Sequence, residues 1–163
     1  MKIRHASSND IERIEKIYED ARVFMRQSGN MHQWQGIYPS RETIISDIND
    51  SCLYLCTEND LILGVFYFRI GEDETYKTIY DGKWLNEKEY AVIHRIAVSS
   101  ESRGKGVASF CFEYALDRFP NIKIDTHKDN LPMQKALTKN GFSYCGIIHL
   151  LNGDERMAYQ RSV

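Results

Sequence analysis

The sequence predicts an α/β fold, with about seven strands and about four helices in a single domain that covers residues 1–163. Segments that suit strands alternate along the chain with segments whose apolar residues recur at helical spacing. The clearest change of pattern lies within Tyr90 to Leu116, where the apolar run Ala91 to Val98 gives way to a polar turn and then to helical spacing from Val107. A length of 163 residues with 42% hydrophobic residues is sufficient for one core.

Each predicted element follows from its local pattern and its capping residues. The first half contains a strand at Lys2 to His5, a helix with Ser8 or Asn9 as N-cap that ends near Gly29, a helix with Ser40 as N-cap, and a hairpin of Cys52 to Thr57 with Leu61 to Ile70. The second half contains the strand Ala91 to Val98, a helix from Val107, the strand Asn121 to Thr126, a helix with Pro132 in its first turn and Gly141 at its end, and a hairpin of Phe142 to Leu151 with Glu155 to Gln160.

The turn from Arg103 to Ala108 has the composition of an anion-binding site. Backbone N–H groups at the start of a helix have no partner within it, and the helix dipole favours negative charge there. Gly104 and Gly106 allow the backbone to approach a ligand closely, while Arg103 and Lys105 add positive charge. We therefore expect a phosphorylated ligand, although a short glycine turn can also serve only to close a tight connection.

Three phosphate-binding patterns compete for this turn, and their spacing separates them. A P-loop requires Ser or Thr after its lysine, but Gly106 follows Lys105. The dinucleotide fingerprint requires a third glycine where Ser109 stands. The third pattern, Q/R-x-x-G-x-G/A, is matched in full by Arg103, Gly106 and Ala108. In these residues the chain resembles the GNAT superfamily of N-acetyltransferases, whose glycine turn wraps the pyrophosphate of acetyl-coenzyme A.

A second motif supports the same resemblance. After the next strand, members of this family carry an Asn followed by a helix that ends in Gly-Phe, and Asn130 through Gly141-Phe142 keeps that order. The two motifs cover Tyr90 to Phe142. The resemblance implies a mixed, mainly antiparallel central sheet and direct transfer of an acetyl group from acetyl-CoA to an amine, without a metal. It assigns cofactor binding to Ile96, Ala97, Val98, Arg103, Gly104, Lys105, Gly106, Val107, Ala108 and Asn130.

His94 is the candidate general base. Regular strand alternation predicts that it shares a face with Ile96 and Val98, with Arg95 on the other face in a structural ion pair or a surface contact. A neutral imidazole can take the proton that an amine must lose before it attacks. The position also resembles that of a catalytic histidine in an arylalkylamine N-acetyltransferase. The alternative is a histidine that only satisfies a backbone carbonyl within the sheet.

The chain departs from the family pattern at Leu137. Many relatives place there a tyrosine that protonates the departing thiolate. The sequence leaves open whether Tyr76, Tyr80 or water replaces it, or whether the thiolate leaves unaided. For Asn130, a contact to the pantetheine arm of the cofactor and N-capping of the following helix are both open interpretations.

Two irregular segments, Asn30 to Pro39 and Gly71 to Glu89, are candidates for contact with the acceptor. Their large aromatic residues are Trp34 and Tyr38 in the first and Tyr76, Tyr80 and Trp84 in the second. In the resembled family the first segment often walls the acceptor pocket, whereas the alternative is that its aromatic residues plug the core. The second segment either folds over the site, where its acidic residues attract an amine, or is a solvated excursion.

Composition limits the partners of the protein. A formal net charge of −2 gives no general attraction to nucleic acid or to an anionic membrane. No apolar run approaches the roughly 20 residues that span a bilayer, and the amino terminus lacks a signal-peptide core, so we expect a cytoplasmic protein. The expected acceptor is a small-molecule amine, with a protein amine or a non-catalytic acetyl-CoA-binding role as alternatives. The sequence leaves the oligomeric state open, a homodimer included.

Overall fold

The protein is built on one seven-stranded sheet, which a computed structural model of residues 1–163 describes in full. The strands are β1 (Lys2–His5), β2 (Leu53–Glu58), β3 (Leu61–Ile70), β4 (Ala91–Val98), β5 (Asn121–Thr126), β6 (Ser143–His149) and β7 (Glu155–Ser162). Their order across the sheet is β1-β2-β3-β4-β5-β7-β6. Only β4 and β5 pair in parallel. The mixed, mainly antiparallel sheet confirms the predicted fold class.

Four helices cover the two faces of the sheet. They are α1 (Ile11–Gln27), α2 (Arg41–Asn49), α3 (Val107–Arg118) and α4 (Leu131–Lys139). On the first face, called here the α1 face, buried residues of α1 and α2 such as Ile14 and Ile44 pack on Leu55 and Val65. On the opposite face, called the α3 face, α3 and α4 bury a larger cluster that includes Phe112 and Leu137. No helix combines the length and the apolar composition that crossing a bilayer requires.

A bulge interrupts β4 at Arg95, whose backbone has the left-handed conformation with φ of 48°. Tyr67 of β3 lies opposite His94, but Val65 lies opposite Ala97, so β4 contains one extra residue over this stretch. A non-glycine residue in this conformation costs roughly 1–3 kcal/mol. Contacts from α1 and α2, described below, hold it.

The bulge makes two predictions from strand alternation wrong. Ile96 and Val98 pack against the cluster of the α3 face, whereas His94 lies beside the Tyr67 ring with the two ring centroids 5.8 Å apart. Arg95 was expected to face away from His94, but its guanidinium lies 4.5 Å from the centroid of the same Tyr67 ring. The extra residue therefore keeps His94 and Arg95 together and returns Ile96 to the opposite face.

The parallel pair is short. Only Ala91 with Ile122 and Val92 with Lys123 are in register, and beyond these residues β4 and β5 separate. The edge of β4 that faces β5 therefore has no partner strand from His94 onward. This opening in the middle of the sheet positions the candidate site.

Most predicted helix ends are confirmed, with one correction. Ser40 accepts a hydrogen bond from Thr43 N, as an N-cap does, and α4 begins beside Pro132 and ends before Gly141. The first helix differs, because a 3₁₀ turn at Ser8–Asp10 precedes α1 and its capping box joins Ser7 to Asp10. Ser8 and Asn9 are therefore not the N-caps. Asp10 also pairs with Arg4 of β1, which helps to hold the 3₁₀ turn, and α1 itself begins at Ile11.

Candidate active site

The glycine turn is exposed and has free hydrogen-bond donors. Gly104 and Gly106 have φ of 78° and 80°, and a Cβ built on either would meet no atom within 4 Å. Gly106 is the N-cap of α3. The N–H groups of residues 106–109 have no acceptor in the protein. The turn therefore presents unpaired donors, a helix N-terminus and open space on one side, which fits a pyrophosphate.

A cavity of about 950 Å³ lies where β4 and β5 separate. Its lining includes Ile93 and Ile96 from the α3 face and His94 from the α1 face, so the opening joins the two sides of the sheet. On the α1 side it is bounded by the connection between α1 and α2 and by the β6–β7 turn. A ligand that enters from one face can thus meet a second ligand that enters from the other.

His94 lies between two carboxylates in this cavity. Its Nε2 is 2.8 Å from Asp73 Oδ2, and its Nδ1 is 3.8 Å from Asp125 Oδ1. Burial opposes ionisation of Asp73, but hydrogen bonds from His94 and Thr75 outweigh burial and lower the pKa of Asp73 below its usual range. An ionised carboxylate only accepts hydrogen bonds, so Nε2 donates to Asp73, and in the neutral form of the ring the lone pair is on Nδ1. The side chain is 20% exposed.

Tyr76 supports the second carboxylate. Its hydroxyl donates to Asp125 Oδ1, and the side chain is almost fully buried. Burial and the neighbouring Asp125 raise the pKa of Tyr76 well above its usual value. The hydroxyl therefore stays protonated and fixes one oxygen of Asp125 close to His94 Nδ1.

The bulge beside His94 is anchored from both helices of the α1 face. Arg95 forms two hydrogen bonds to Asp47 of α2, Nε to Oδ2 at 2.8 Å and Nη2 to Oδ1 at 2.9 Å. Tyr18 of α1 donates its hydroxyl to the Arg95 carbonyl at 2.8 Å. Burial raises the pKa of Asp47, and the Arg95 charge opposes that shift. Arg95 is therefore structural, and it holds His94 at the cavity.

The predicted acceptor residues are divided by the structure. Trp34 and Tyr38 line the cavity, with their rings 6.4 Å apart. Tyr76 lies behind Asp125, as described above. Tyr80 and Trp84 do not line the cavity, because Tyr80 stacks on His149 and the Trp84 indole donates to the Tyr76 carbonyl. The segment Gly71 to Glu89 thus supplies Asp73 rather than its aromatic residues to the site.

The remaining predicted residues are accounted for as follows. Asn130 caps α4 by accepting from Met133 N, and its amide nitrogen donates to Gln33, so both ends of the side chain are engaged. Leu137 is fully buried and offers no acid. A histidine outside these predictions, His127, lines a neighbouring polar cavity rather than that of His94. Burial and the nearby Arg156 lower the pKa of His127.

Sequence reasoning missed the partners of His94. Asp125 alternates with Ile124 in a recognisable strand, and the parallel neighbour β4 could have placed it beside His94. Asp73 belongs to an irregular segment, and no pattern in the sequence indicates its position. Arg69 and Arg156 also line the cavity, and nothing in the sequence distinguishes them from other strand arginines.

Comparisons with known proteins identify the family of the chain. Residues 11–142 match the model of the acetyltransferase (GNAT) family. A GNAT-family acetyltransferase from Streptococcus agalactiae is 34% identical over 99% of this chain and 95% of its own, with a TM-score of 0.91. A GNAT-family acetyltransferase from Listeria monocytogenes shares the fold at 21% identity, with a TM-score of 0.72 over 99% of this chain and 94% of its own.

A more distant structure, the ribosomal-protein-S18-alanine N-acetyltransferase of Escherichia coli, shares the fold at 13% identity, with a TM-score of 0.65 over 99% of this chain and 93% of its own. No curated protein matches the chain. The family model covers the bulged β4, the glycine turn and Asn130 through Phe142, while the β6–β7 turn that also lines the cavity lies beyond the matched residues. The chain therefore belongs to the GNAT family and is an acetyltransferase.

Proposed function

We propose that the protein transfers an acetyl group from acetyl-CoA to the primary amine of a small molecule, with His94 as general base. The observation that carries the proposal is that His94 Nδ1 makes no hydrogen bond within the protein and lies in the cavity, while Nε2 is hydrogen-bonded to an ionised Asp73. Such an imidazole can accept a proton, and Asp73 stabilises the positive charge that results. This is the arrangement that an amine acceptor requires.

The residues present fit acetyl-CoA. The N–H groups of residues 106–109 and the charges of Arg103 and Lys105 suit its pyrophosphate, and the unpaired edge of β4 beyond Val92 suits the amides of its pantetheine arm. When bound, acetyl-CoA supplies the acetyl group as a reactive thioester. The family resemblance assigns the contacts to Ile96, Ala97 and Val98, which belong to this unpaired part of β4.

The chain then has to deprotonate and hold the amine. An alkylammonium with a pKa of roughly 10.4 is protonated at neutral pH and has to lose a proton before it attacks. The carboxylates of Asp73 and Asp125 attract the alkylammonium to His94. When Nδ1 takes the proton, the same carboxylates stabilise the imidazolium that forms. Because Leu137 is buried in the core, this chain has no acid at the position where many relatives carry a tyrosine.

A small acceptor is supported by the walls of the cavity. The connection between α1 and α2 contributes Trp34 and Tyr38 on one side, and the β6–β7 turn contributes Leu150 and Leu151 on the other. The cavity volume of about 950 Å³ is at the upper end of the range for small-molecule sites, roughly 300–1,000 Å³. An internal lysine of a protein would need a groove that leaves the chain free to continue on both sides, and a protein amino terminus would need such room on one side.

The test is an acceptor screen with acetyl-CoA and detection of the released thiol. We expect turnover with small primary amines and little with peptides, and His94→Ala should lower kcat/KM by roughly a hundredfold or more. His149→Ala is the matched control, since His149 lies outside the cavity. Efficient turnover of peptides alone, or tight binding of acetyl-CoA with no turnover at all, contradicts the proposal.

A further inference from the structure

Arg156 is a buried cation at the cavity without a carboxylate partner. It lies on β7, is 6% exposed and lines the cavity. Its Nη1 donates to the Glu155 carbonyl at 2.9 Å and its Nη2 to the Gln33 carbonyl at 3.3 Å. Neither acceptor is charged. Arg156 takes part in no ion pair, whereas Arg95, which lines the same cavity, is paired with Asp47.

An unpaired buried charge is costly, so proteins normally pair it with an opposite charge. The guanidinium has five N–H donors in a planar fork, and two carbonyls do not satisfy them. The remaining donors match a carboxylate, which can bind the fork through both oxygens. We infer that the acceptor amine also carries a carboxylate and that Arg156 binds it, so the substrate class is a small amino acid. This inference rests on the proposed function.

The sheet places the amine and carboxylate positions on one face. Asp125 of β5 lies opposite Ala158 of β7 in an antiparallel pair, and Arg156 stands two residues from Ala158 on the same face. Diagonal neighbours of this kind are roughly 7–8 Å apart, and their Cβ atoms somewhat less. Asp125 in turn is 3.8 Å from His94 Nδ1. One small molecule can therefore present its amine to His94 and its carboxylate to Arg156.

Among the charged groups that line the cavity, Arg156 is the best candidate to bind the carboxylate of the acceptor. Asp154 lines the cavity near Arg156 but forms no ion pair with it, and Asn152 donates to its carboxylate. Arg69 is half-buried and also lacks a carboxylate partner, but its Nε and Nη2 donate to the Tyr67 hydroxyl and the Glu72 carbonyl. Arg69 is the alternative anchor, and variants separate the two.

The first experiment compares matched acceptors on the wild-type protein. Each amino acid of a panel that varies the distance from amine to carboxylate is assayed beside its carboxamide, its decarboxylated amine and the aminoalkyl phosphonate of the same length. We expect the carboxylate compound to have the highest kcat/KM, by roughly ten- to hundredfold over its carboxamide. Equal rates for the carboxamide, or a preference for the phosphonate, overturn the inference while the proposed function stands.

The second experiment uses variants. Arg156→Gln should reduce the preference for carboxylate over carboxamide to about unity, and Arg156→Lys should restore it only in part because a lysine cannot form the bidentate contact. Arg161→Gln, on the same strand but bonded to Glu113 outside the cavity, should retain the preference. Loss of the preference in Arg69→Gln instead of Arg156→Gln contradicts the assignment.

A binding measurement keeps the inference testable without turnover. Calorimetry on the wild-type protein compares the N-acetyl derivatives of the same amino acids with their carboxamides, which are product-like ligands and need no reaction. We expect the carboxylates to bind at least about tenfold more tightly. If no amine is acetylated but this difference in affinity is found, the proposed function fails and the carboxylate site at Arg156 stands. If amines are acetylated and the difference in affinity is absent, only the carboxylate site at Arg156 fails.

Discussion

Asp73 and His94 are 21 positions apart in sequence, yet the Asp73 carboxylate lies 2.8 Å from the His94 ring. The contact fixes which ring nitrogen carries the proton and leaves the other facing the cavity. Asp73→Asn removes the charge that stabilises the protonated imidazole, so we expect kcat/KM to fall by roughly ten- to hundredfold. Initial rates across a pH range measure it. Glu74→Gln, an exposed neighbour paired with Lys77, is the control, and an equal loss there would contradict a specific role for Asp73.

The glycine turn should bind acetyl-CoA through its backbone. Gly106→Ala places a Cβ at a residue with φ of 80°, which costs roughly 1–2 kcal/mol of stability and obstructs the approach of the pyrophosphate. Calorimetry should then show at least about tenfold weaker binding of acetyl-CoA. Gly29→Ala is a matched control, because Gly29 has φ of 86° and open space at the end of α1. The Gly29→Ala variant should lose a similar amount of stability and keep its affinity for acetyl-CoA.

The pair of Arg95 and Asp47 should be a large contributor to stability. Asp47→Ala leaves the Arg95 guanidinium without its partner in a mostly buried position, which costs roughly 3–5 kcal/mol, and it releases the bulge that carries His94. Urea denaturation measures the stability, and the variant should also lose activity. Glu15→Gln removes a surface ion pair with Arg41 and should change stability by no more than about 1 kcal/mol. A small effect of Asp47→Ala would show that the bulge is stable without this pair.

Lys123 should make stability rise with alkaline pH. Burial lowers the pKa of Lys123 from 10.5 to about 8, and its ammonium lies 3.9 Å from the centroid of the Tyr90 ring. Between these two values the unfolded chain binds the proton more tightly than the folded protein, so the free energy of unfolding increases with pH. Denaturation from pH 7 to 10 should show this slope, and Lys123→Met should flatten it. The same slope in the variant would assign it to other groups.

The sequence predicts well the parts of the site that depend on local pattern. The turn at Arg103 to Ala108, the strand before it and the helix after it are all where glycine placement and apolar spacing indicate. The N-capping residue is Ser7, which caps a 3₁₀ turn ahead of α1 rather than α1 itself. Arg4 pairs with Asp10 of this turn, a contact that no local capping rule includes.

The parts that were not predicted depend on long-range contacts. The bulge at Arg95 requires an aspartate from α2 and a tyrosine from α1, and neither is near it in sequence. Asp73 reaches His94 only after an irregular segment has packed against the sheet through Tyr76. The aromatic character of Trp84 and Tyr80 suggests contact with the acceptor. Their contacts with the Tyr76 carbonyl and with His149 instead place them outside the cavity.

Because of the single additional residue in β4, one strand lines the cavity from both faces of the sheet, with His94 on the α1 face and Ile96 on the α3 face. Deletion of Arg95 would restore regular strand alternation. Either His94 would then lie on the α3 face, or Ile96 and Val98 would lie on the α1 face. If acetyl-CoA binds along β4 as we propose, a one-residue change in the register of this strand would separate the imidazole from the thioester.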